Sequence, residues 1–521
     1  MSEREGRRKR GGGRAGNARR GGAAIDQVGW HIPEISDKPT EPLTEEGVQA
    51  IHEAAMRILE EIGIDFLHEG AREELKKAGA IVQDGEERVR MGRDMVMELT
   101  ARAPAEFTLT PRNPVRQVTI GGNRQVYVNV SSPPSCSDLD RGRRPGNRES
   151  FRDLIKLSQY FNCIHVVGGY PVEPVDIHPS VRHLDCIHDK LTLCDKVIHT
   201  YALGVERVED TMEMVRIAGG LSHDEFRASP RMYTNINSTS PLKHDWPMLD
   251  GAMRLAKAGQ MVSVTPFTLS GAMAPVTLAG AIAQQTAEAL AAIALLQFIA
   301  PGAPVVMGSF TSNVDMKSGA PAFGTPEYMR ATQMSGQMAR FYGLPLRSSN
   351  ACAANAPDAQ AAWESAFSLW ACVSSRTNLV YHAAGWLEGG LCASYEKFVM
   401  DCETLQQMMH YMRPVEVSED TLAVDAIAEV DAMPAAQRHF FGAQHTQDRY
   451  TTAFYSPFLS NWDNYQSWEA AGAEQTPERA NRIWKQILAE FEAPAMDPAI
   501  AEELAAFVDR RKEEGGAPTD F

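Results

Sequence analysis

Eight short runs of β-branched and apolar residues recur along this chain, at 125–130, 163–168, 196–201, 231–237, 261–266, 304–308, 344–349 and 378–383. Between them lie stretches with helical periodicity, among them 149–161, 207–219, 281–298 and 326–342. Strands alternating with helices predict a parallel sheet, because parallel neighbours need a crossover connection. Eight such units predict closure into a (β/α)8 barrel, with chemistry at the C-terminal ends of the strands.

The chain has 521 residues, well beyond the roughly 250 of a typical barrel, so flanking structure is expected on both sides. The expected division is a disordered basic tail at 1–23, an N-terminal helical cap region at 24–122, the barrel at 123–412 and a C-terminal extension at 413–521 packing on the barrel. In the cap region Thr44 suits an N-cap, Glu45 and Glu46 a first turn, and Gly63 a stop; a second helix follows at 69–78. In the extension, helices are expected at 421–430 and 477–491. The aromatic-rich stretch 451–472 between them is expected to pack across the barrel or to form an oligomer contact.

The formal net charge of −16 argues against nonspecific binding to nucleic acid or membranes. The most apolar stretch, 279–300, is interrupted by Gln284, Gln285, Glu288 and Gln297, so no membrane span is expected. Eight scattered cysteines without a CxxC pair read as reduced thiols of a cytoplasmic protein. The Arg- and Gly-rich start, with Arg7-Arg8-Lys9-Arg10, reads as a solvated tail or as an arm for an acidic partner or RNA.

Several motifs occur in order: RILEEIGIDFLHEGAREELKKAGA at 57–80, MGSFTSNVDMKSGAPAFGTPE at 307–327, PDAQAAWES at 357–365 and YHAAGWLEGGLCASYEKFVMDCE at 381–403. FFGAQHT at 440–446 and NWDNYQSWEAAGAEQTPERA at 461–480 follow. Together they resemble the trimethylamine methyltransferase (MttB) family, over residues 43–493. The resemblance implies a (β/α)8 barrel that moves a methyl group from a methylated amine to Co(I) of a separate corrinoid protein, which brings the corrinoid to the barrel mouth. Family members acting on trimethylamine carry pyrrolysine, whereas relatives without it act on quaternary amines such as glycine betaine. Only ordinary residues occur here, and the pyrrolysine position falls near Asn350. The resemblance therefore implies a small betaine-like substrate and no tightly bound cofactor.

Such a substrate calls for aromatic faces around the ammonium and a hydrogen-bond donor for any carboxylate. At predicted strand ends the rings are Tyr201, Phe267, Phe310 and Trp386, with Phe310 and Trp386 as the preferred pair; each could equally fill the barrel mouth. His382 can anchor a polar tail or bond within the barrel. Asn235, Asn237 and Asn350 can orient a polar group or simply end strands. Glu388 can balance the ammonium or be a solvated charge. Asp315 and Asp358 begin connections, and Asp358 follows Pro357 where a helix should start.

Two other functions stay open at this point: a metal-dependent barrel hydrolase or lyase, and a non-catalytic betaine-binding protein. His165, His199, His382 and Cys136 fall near strands, yet the first strand, Val126-Tyr127-Val128-Asn129, carries no HxH pair, and no metal site is expected. Asp176-Ile177-His178 matches half of a DxHxxG corrinoid-binding motif, but Val181 stands where Gly is needed. There is no P-loop and no Gly-rich dinucleotide fingerprint. Association of the chain with copies of itself is expected.

Overall fold

The computed structural model describes residues 25–519; the basic tail expected at 1–23 lies outside them. Eight parallel strands form one sheet: β1 (Val126–Tyr127), β2 (Val166–Val167), β3 (Val197–Thr200), β4 (Met232–Ile236), β5 (Met261–Val264), β6 (Val305–Gly308), β7 (Leu346–Ser349) and β8 (Leu379–Tyr381). Each strand pairs with its sequence neighbour, and β8 pairs with β1. A parallel bridge between Val128 and Val166 joins β1 to β2 and closes the ring. All eight expected runs contain a barrel strand, trimmed at the ends where the ladder stops.

A helix follows every strand: α1 (Arg148–Tyr160), α2 (Pro179–Leu193), α3 (Val205–Ala218), α4 (Trp246–Lys257), α5 (Leu278–Ile299), α6 (Pro326–Phe341), α7 (Ala359–Ser375) and α8 (Tyr395–Tyr411). Their starts are written locally. Asn147 and Ser150 form a capping box on α1, and Asp358 accepts from the Gln360 and Ala361 N–H groups at the start of α7. His178 caps α2 and pairs with Ser180 Oγ at 2.8 Å, so the half-motif at 176–178 serves a helix start.

Helix α5 is buried on every side and is long and apolar enough to cross a membrane, but it lies within the protein. The reason is a second layer: helices Glu45–Arg57 and Arg93–Thr100 pack over it, so it has no solvent face. The first of these starts at Thr44, as its sequence predicts. It runs through a π turn to Gly63, where φ is +85° and a Cβ would sit 2.6 Å from the Val89 carbonyl oxygen.

The N-terminal end of the barrel is plugged. A hairpin of Glu106–Leu109 and Val118–Gly121 places Leu109, Val118 and Ile120 against the inward side chains Val126, Val166, Met261 and Val306. Helix Thr476–Ala489 packs on α1 and α8, while Pro498–Glu513 packs on α2 and α3. Between α8 and these helices the aromatic stretch is split. Glu403 of α8 accepts from the Tyr455 hydroxyl and from the Phe458 and Leu459 N–H groups, holding that segment on the outside of the barrel. Phe454, Trp462 and Tyr465 stay exposed, so packing across the barrel does not account for them.

Candidate active site

Along a barrel strand alternate side chains face inward. That parity sends Tyr233 and Asn235 of β4, Ser263 of β5, and Arg347 of β7 into the lumen. His199, Tyr381 and Phe310 meet them there, the last just beyond β6. Gly308 at the end of β6 must be glycine, because a Cβ would lie 2.0 Å from Thr265 Oγ1; its absence lets β5 and β6 close up beneath Phe310.

Toward the mouth the aromatic rings form one cluster. Phe310 stacks on Phe267 at 5.1 Å between centroids and on Phe323 at 5.4 Å, and meets Trp386 edge-on at 6.2 Å. The His382 ring sits 3.8 Å from Trp386, four residues on, and 6.2 Å from Phe310. Trp386 lies under Gly390, where a Cβ would come within 2.6 Å of the indole. The structure thus unites Phe267, Phe310, His382 and Trp386. It adds Phe323, which the sequence hides in the long connection after β6.

The other expected residues separate by role. Tyr201 sits on the β2–β3 side of the mouth, its hydroxyl fixed by Ser132 Oγ at 2.7 Å and by the Tyr170 N–H at 3.0 Å. It also lines a cavity of about 320 Å³ with Ser132, Tyr170, Arg182, His183 and His199. Asn235 Oδ1 accepts from Thr265 Oγ1 at 2.7 Å, and its amide donates to Asn237 Oδ1 at 3.3 Å. Asn350 is turned into the wall, where its amide donates to the Ala383 carbonyl at 3.1 Å. Glu388 accepts from Arg143 Nε at 2.9 Å, so its charge is already answered at the rim. Asp315 caps its own turn through Ser318.

The electrostatic centre is Arg347, which sequence inspection passes over. Its guanidinium lies 4.4 Å from the Tyr381 ring centroid and 5.3 Å from that of Phe310. It is 3% exposed, and among the described residues no carboxylate pairs with it. Its one hydrogen bond is a long 3.5 Å contact from Nη1 to the Ser309 carbonyl, and Nε has no partner. Burial pushes its pKa down, yet a guanidinium starts high enough to keep its charge. A charge inside a parallel barrel strand was the available signal, because such strands are normally apolar throughout.

The histidines around it are neutral. Burial, reinforced by Lys190 and Arg347 at His199 and by Arg347 at His382, holds both imidazoles well below their ordinary range. The Asn235 N–H donates to His199 Nε2 at 3.1 Å, which places the ring proton on Nδ1, and Nδ1 has no partner. The Ser131 N–H donates to His382 Nδ1 at 3.3 Å, which places that proton on Nε2. His382 also adopts φ +53°, a left-handed turn that swings its ring from the end of β8 onto Trp386. The lumen therefore offers hydrogen-bond donors and aromatic faces around a fixed positive charge. His165 differs: both its ring nitrogens are bonded to backbone, so it is structural. Among the described residues no three His, Cys, Asp or Glu side chains gather as a metal set.

The sequence matches the trimethylamine methyltransferase (MTTB) family over residues 9–516. The chain belongs to that family. It is 39% identical to the glycine betaine methyltransferase of Desulfitobacterium hafniense (strain Y51) over 475 residues, covering 91% of this chain and 98% of the relative. The proline betaine:corrinoid methyltransferase of Eubacterium limosum is 27% identical over 387 residues, covering 71% and 78%. The trimethylamine methyltransferase MttB of D. hafniense (strain DSM 10664 / DCB-2) is 27% identical over 478 residues, covering 91% and 94%. Among solved structures, the monomethylamine methyltransferase (MtmB) of Methanosarcina barkeri has the same fold, with a TM-score of 0.51 at 10% identity and 89% of each chain covered.

Proposed function

We propose that this family member transfers a methyl group from a small quaternary amine of the betaine type to the Co(I) of a separate corrinoid protein. The corrinoid protein is the second substrate, and its reduced cobalt supplies the nucleophile. This chain's contribution is binding and orientation. The observation that carries the reading is the character of the mouth: aromatic faces and neutral imidazoles, with no free carboxylate among the described residues of the cluster.

That character suits a transfer in which no proton moves. When the N–CH₃ bond breaks, its electron pair returns to nitrogen and a neutral tertiary amine departs. A quaternary nitrogen carries its leaving-group charge from the start, so a general acid is not required. Phe310 and Trp386 present ring faces to the ammonium, each contributing about 0.5–2 kcal/mol. Burial beneath the rim strengthens those contacts by excluding water.

In the same reading, the corrinoid protein docks over the C-terminal end of the barrel, and the enzyme is cytoplasmic and self-associating. Trp363, Phe367 and Trp370, exposed along α7, support self-association, and eight free buried cysteines suit a reducing compartment.

The test is anaerobic. Purified protein is mixed with cob(I)alamin and, separately, glycine betaine, proline betaine, carnitine, choline or trimethylamine, and the visible spectrum is followed. Methylated cobalamin together with a demethylated amine is expected from a betaine and not from trimethylamine. Absence of transfer to both free cobalamin and a corrinoid protein, with no calorimetric binding of any quaternary amine, would overturn the reading.

A further inference from the structure

The lumen holds more unpartnered polar atoms than the methyl transfer itself uses. Arg347 Nε and His199 Nδ1 are buried without hydrogen-bond partners. The rings that carry or flank these groups are in mutual contact. His199 lies 5.0 Å from Tyr233 and 6.3 Å from Tyr381, and Arg347 lies 4.4 Å from Tyr381. Both groups thus lie against the Tyr381 ring, and Arg347 also touches Phe310 of the aromatic cluster.

A buried guanidinium left without an anion is costly, and protein interiors normally pair such a charge. Ring faces attract it but accept no hydrogen bond in the plane of its fork. Carboxylate is the group whose geometry matches that fork. Among the described residues none is supplied. We infer that Arg347, with the His199 Nδ1–H beside it, is the anion anchor of the barrel: it takes the carboxylate of a zwitterionic substrate whose ammonium rests against Phe310 and Trp386.

The assignment rests on the proposed function and sharpens it. An unpaired positive charge within contact of the Phe310 ring repels any ligand that is only a cation. Choline and tetramethylammonium would meet that repulsion, whereas a betaine brings its own counter-charge. The short path from Arg347 through Phe310 to the mouth also favours a carboxylate close to the nitrogen. Arg347 thus selects zwitterions over cations, and His382 is freed from the role of tail anchor. Arg347 is a binding residue here and takes no part in bond breaking.

The test is isothermal titration calorimetry on the full-length protein with glycine betaine, glycine betaine methyl ester, choline and tetramethylammonium. With wild-type protein, glycine betaine is expected to bind at least about a hundredfold tighter than its methyl ester or choline, since truncating one partner of a buried charge pair commonly has effects of that size. Arg347→Met should abolish that preference, and Arg347→Lys should restore part of it. Equal affinity of the wild type for betaine and its ester would overturn the anchor without needing any variant. So would an Arg347→Met protein that melts normally and binds betaine as the wild type does. If methyl transfer from betaine proceeds in either case, only the anchor falls; if the wild type binds none of the four and transfers no methyl, the proposed function falls with it.

Discussion

Two pairs of buried groups, one near each end of the barrel, are handled in opposite ways. Near the N-terminal end, Lys196 is fully buried but donates to the carbonyls of Ser158, Phe161 and Ile164 at 2.6, 2.9 and 2.7 Å. His165 is bonded through both ring nitrogens, to the Tyr127 N–H and the His31 carbonyl. Toward the C-terminal end, Arg347 has one long contact and His199 has one nitrogen without a partner. A buried cation and an imidazole are satisfied in the first pair and left wanting in the second. Lys196 and His165 hold the fold together, whereas Arg347 and His199 await something from outside.

That contrast can be attacked from both sides. The largest effect is expected at the closed end. Lys196→Met strands three buried carbonyls and should lower stability by about 2–5 kcal/mol in denaturant unfolding. Glycine betaine affinity in the surviving folded protein should stay at the wild-type value. At the open end the pattern should reverse. His199→Leu removes one buried acceptor, that of the Asn235 N–H, against three stranded carbonyls at Lys196, so it should cost less, about 1–2 kcal/mol, yet weaken betaine binding roughly tenfold by calorimetry. A His199 variant as destabilised as the Lys196 variant would erase the contrast.

Acid should act on both ends alike. His165, whose pKa is pushed down to about 3, and His199 and His382, held well below the ordinary value, are neutral in the fold. Below about pH 6.5 the unfolded chain takes up protons on these residues that the fold does not, so stability falls as pH falls. The slope is at most about 1.4 kcal/mol per pH unit for each histidine. Unfolding at pH 7, 6 and 5 should show this decline, while betaine affinity stays flat from pH 8 to 6 because His199 and His382 keep their protonation state. An affinity that titrates near pH 6.5 would mean that one of them becomes charged in use. The smallest effect belongs to the rim. Glu388→Gln loosens a contact with the half-exposed Arg143 and should shift stability by less than about 0.5 kcal/mol, with substrate affinity unchanged.

Much of the fold was legible because strand and helix periodicities are local. All eight barrel strands fall in the runs that alternate with helices, and Thr44, Asp358 and Gly63 mark the boundaries their chemistry suggests. Helix Pro498–Glu513 lay outside that reading. It is held in place by ion pairs reaching far along the chain, such as Lys512 to Asp185.

The site was legible in part. Phe310, Trp386 and His382 meet because each stands at or just past a strand end. Phe323 arrives from a loop whose path no local pattern fixes. Asn350 and Glu388 hold the right positions along the chain but face the wall and Arg143, since direction at a strand end depends on tertiary contacts. Arg347 was missed for a different reason: a sequence displays a charge but not the absence of its partner, and that absence is what marks the site.

The measurement that bears most directly on this account is a crystal structure of the protein with glycine betaine bound. The account places the carboxylate on Arg347 and His199 Nδ1, with the trimethylammonium against Phe310 and Trp386 and a methyl group directed out of the mouth. Betaine bound elsewhere, for example in the cavity beside Tyr201 and Arg182, with Arg347 still unpartnered, would contradict it.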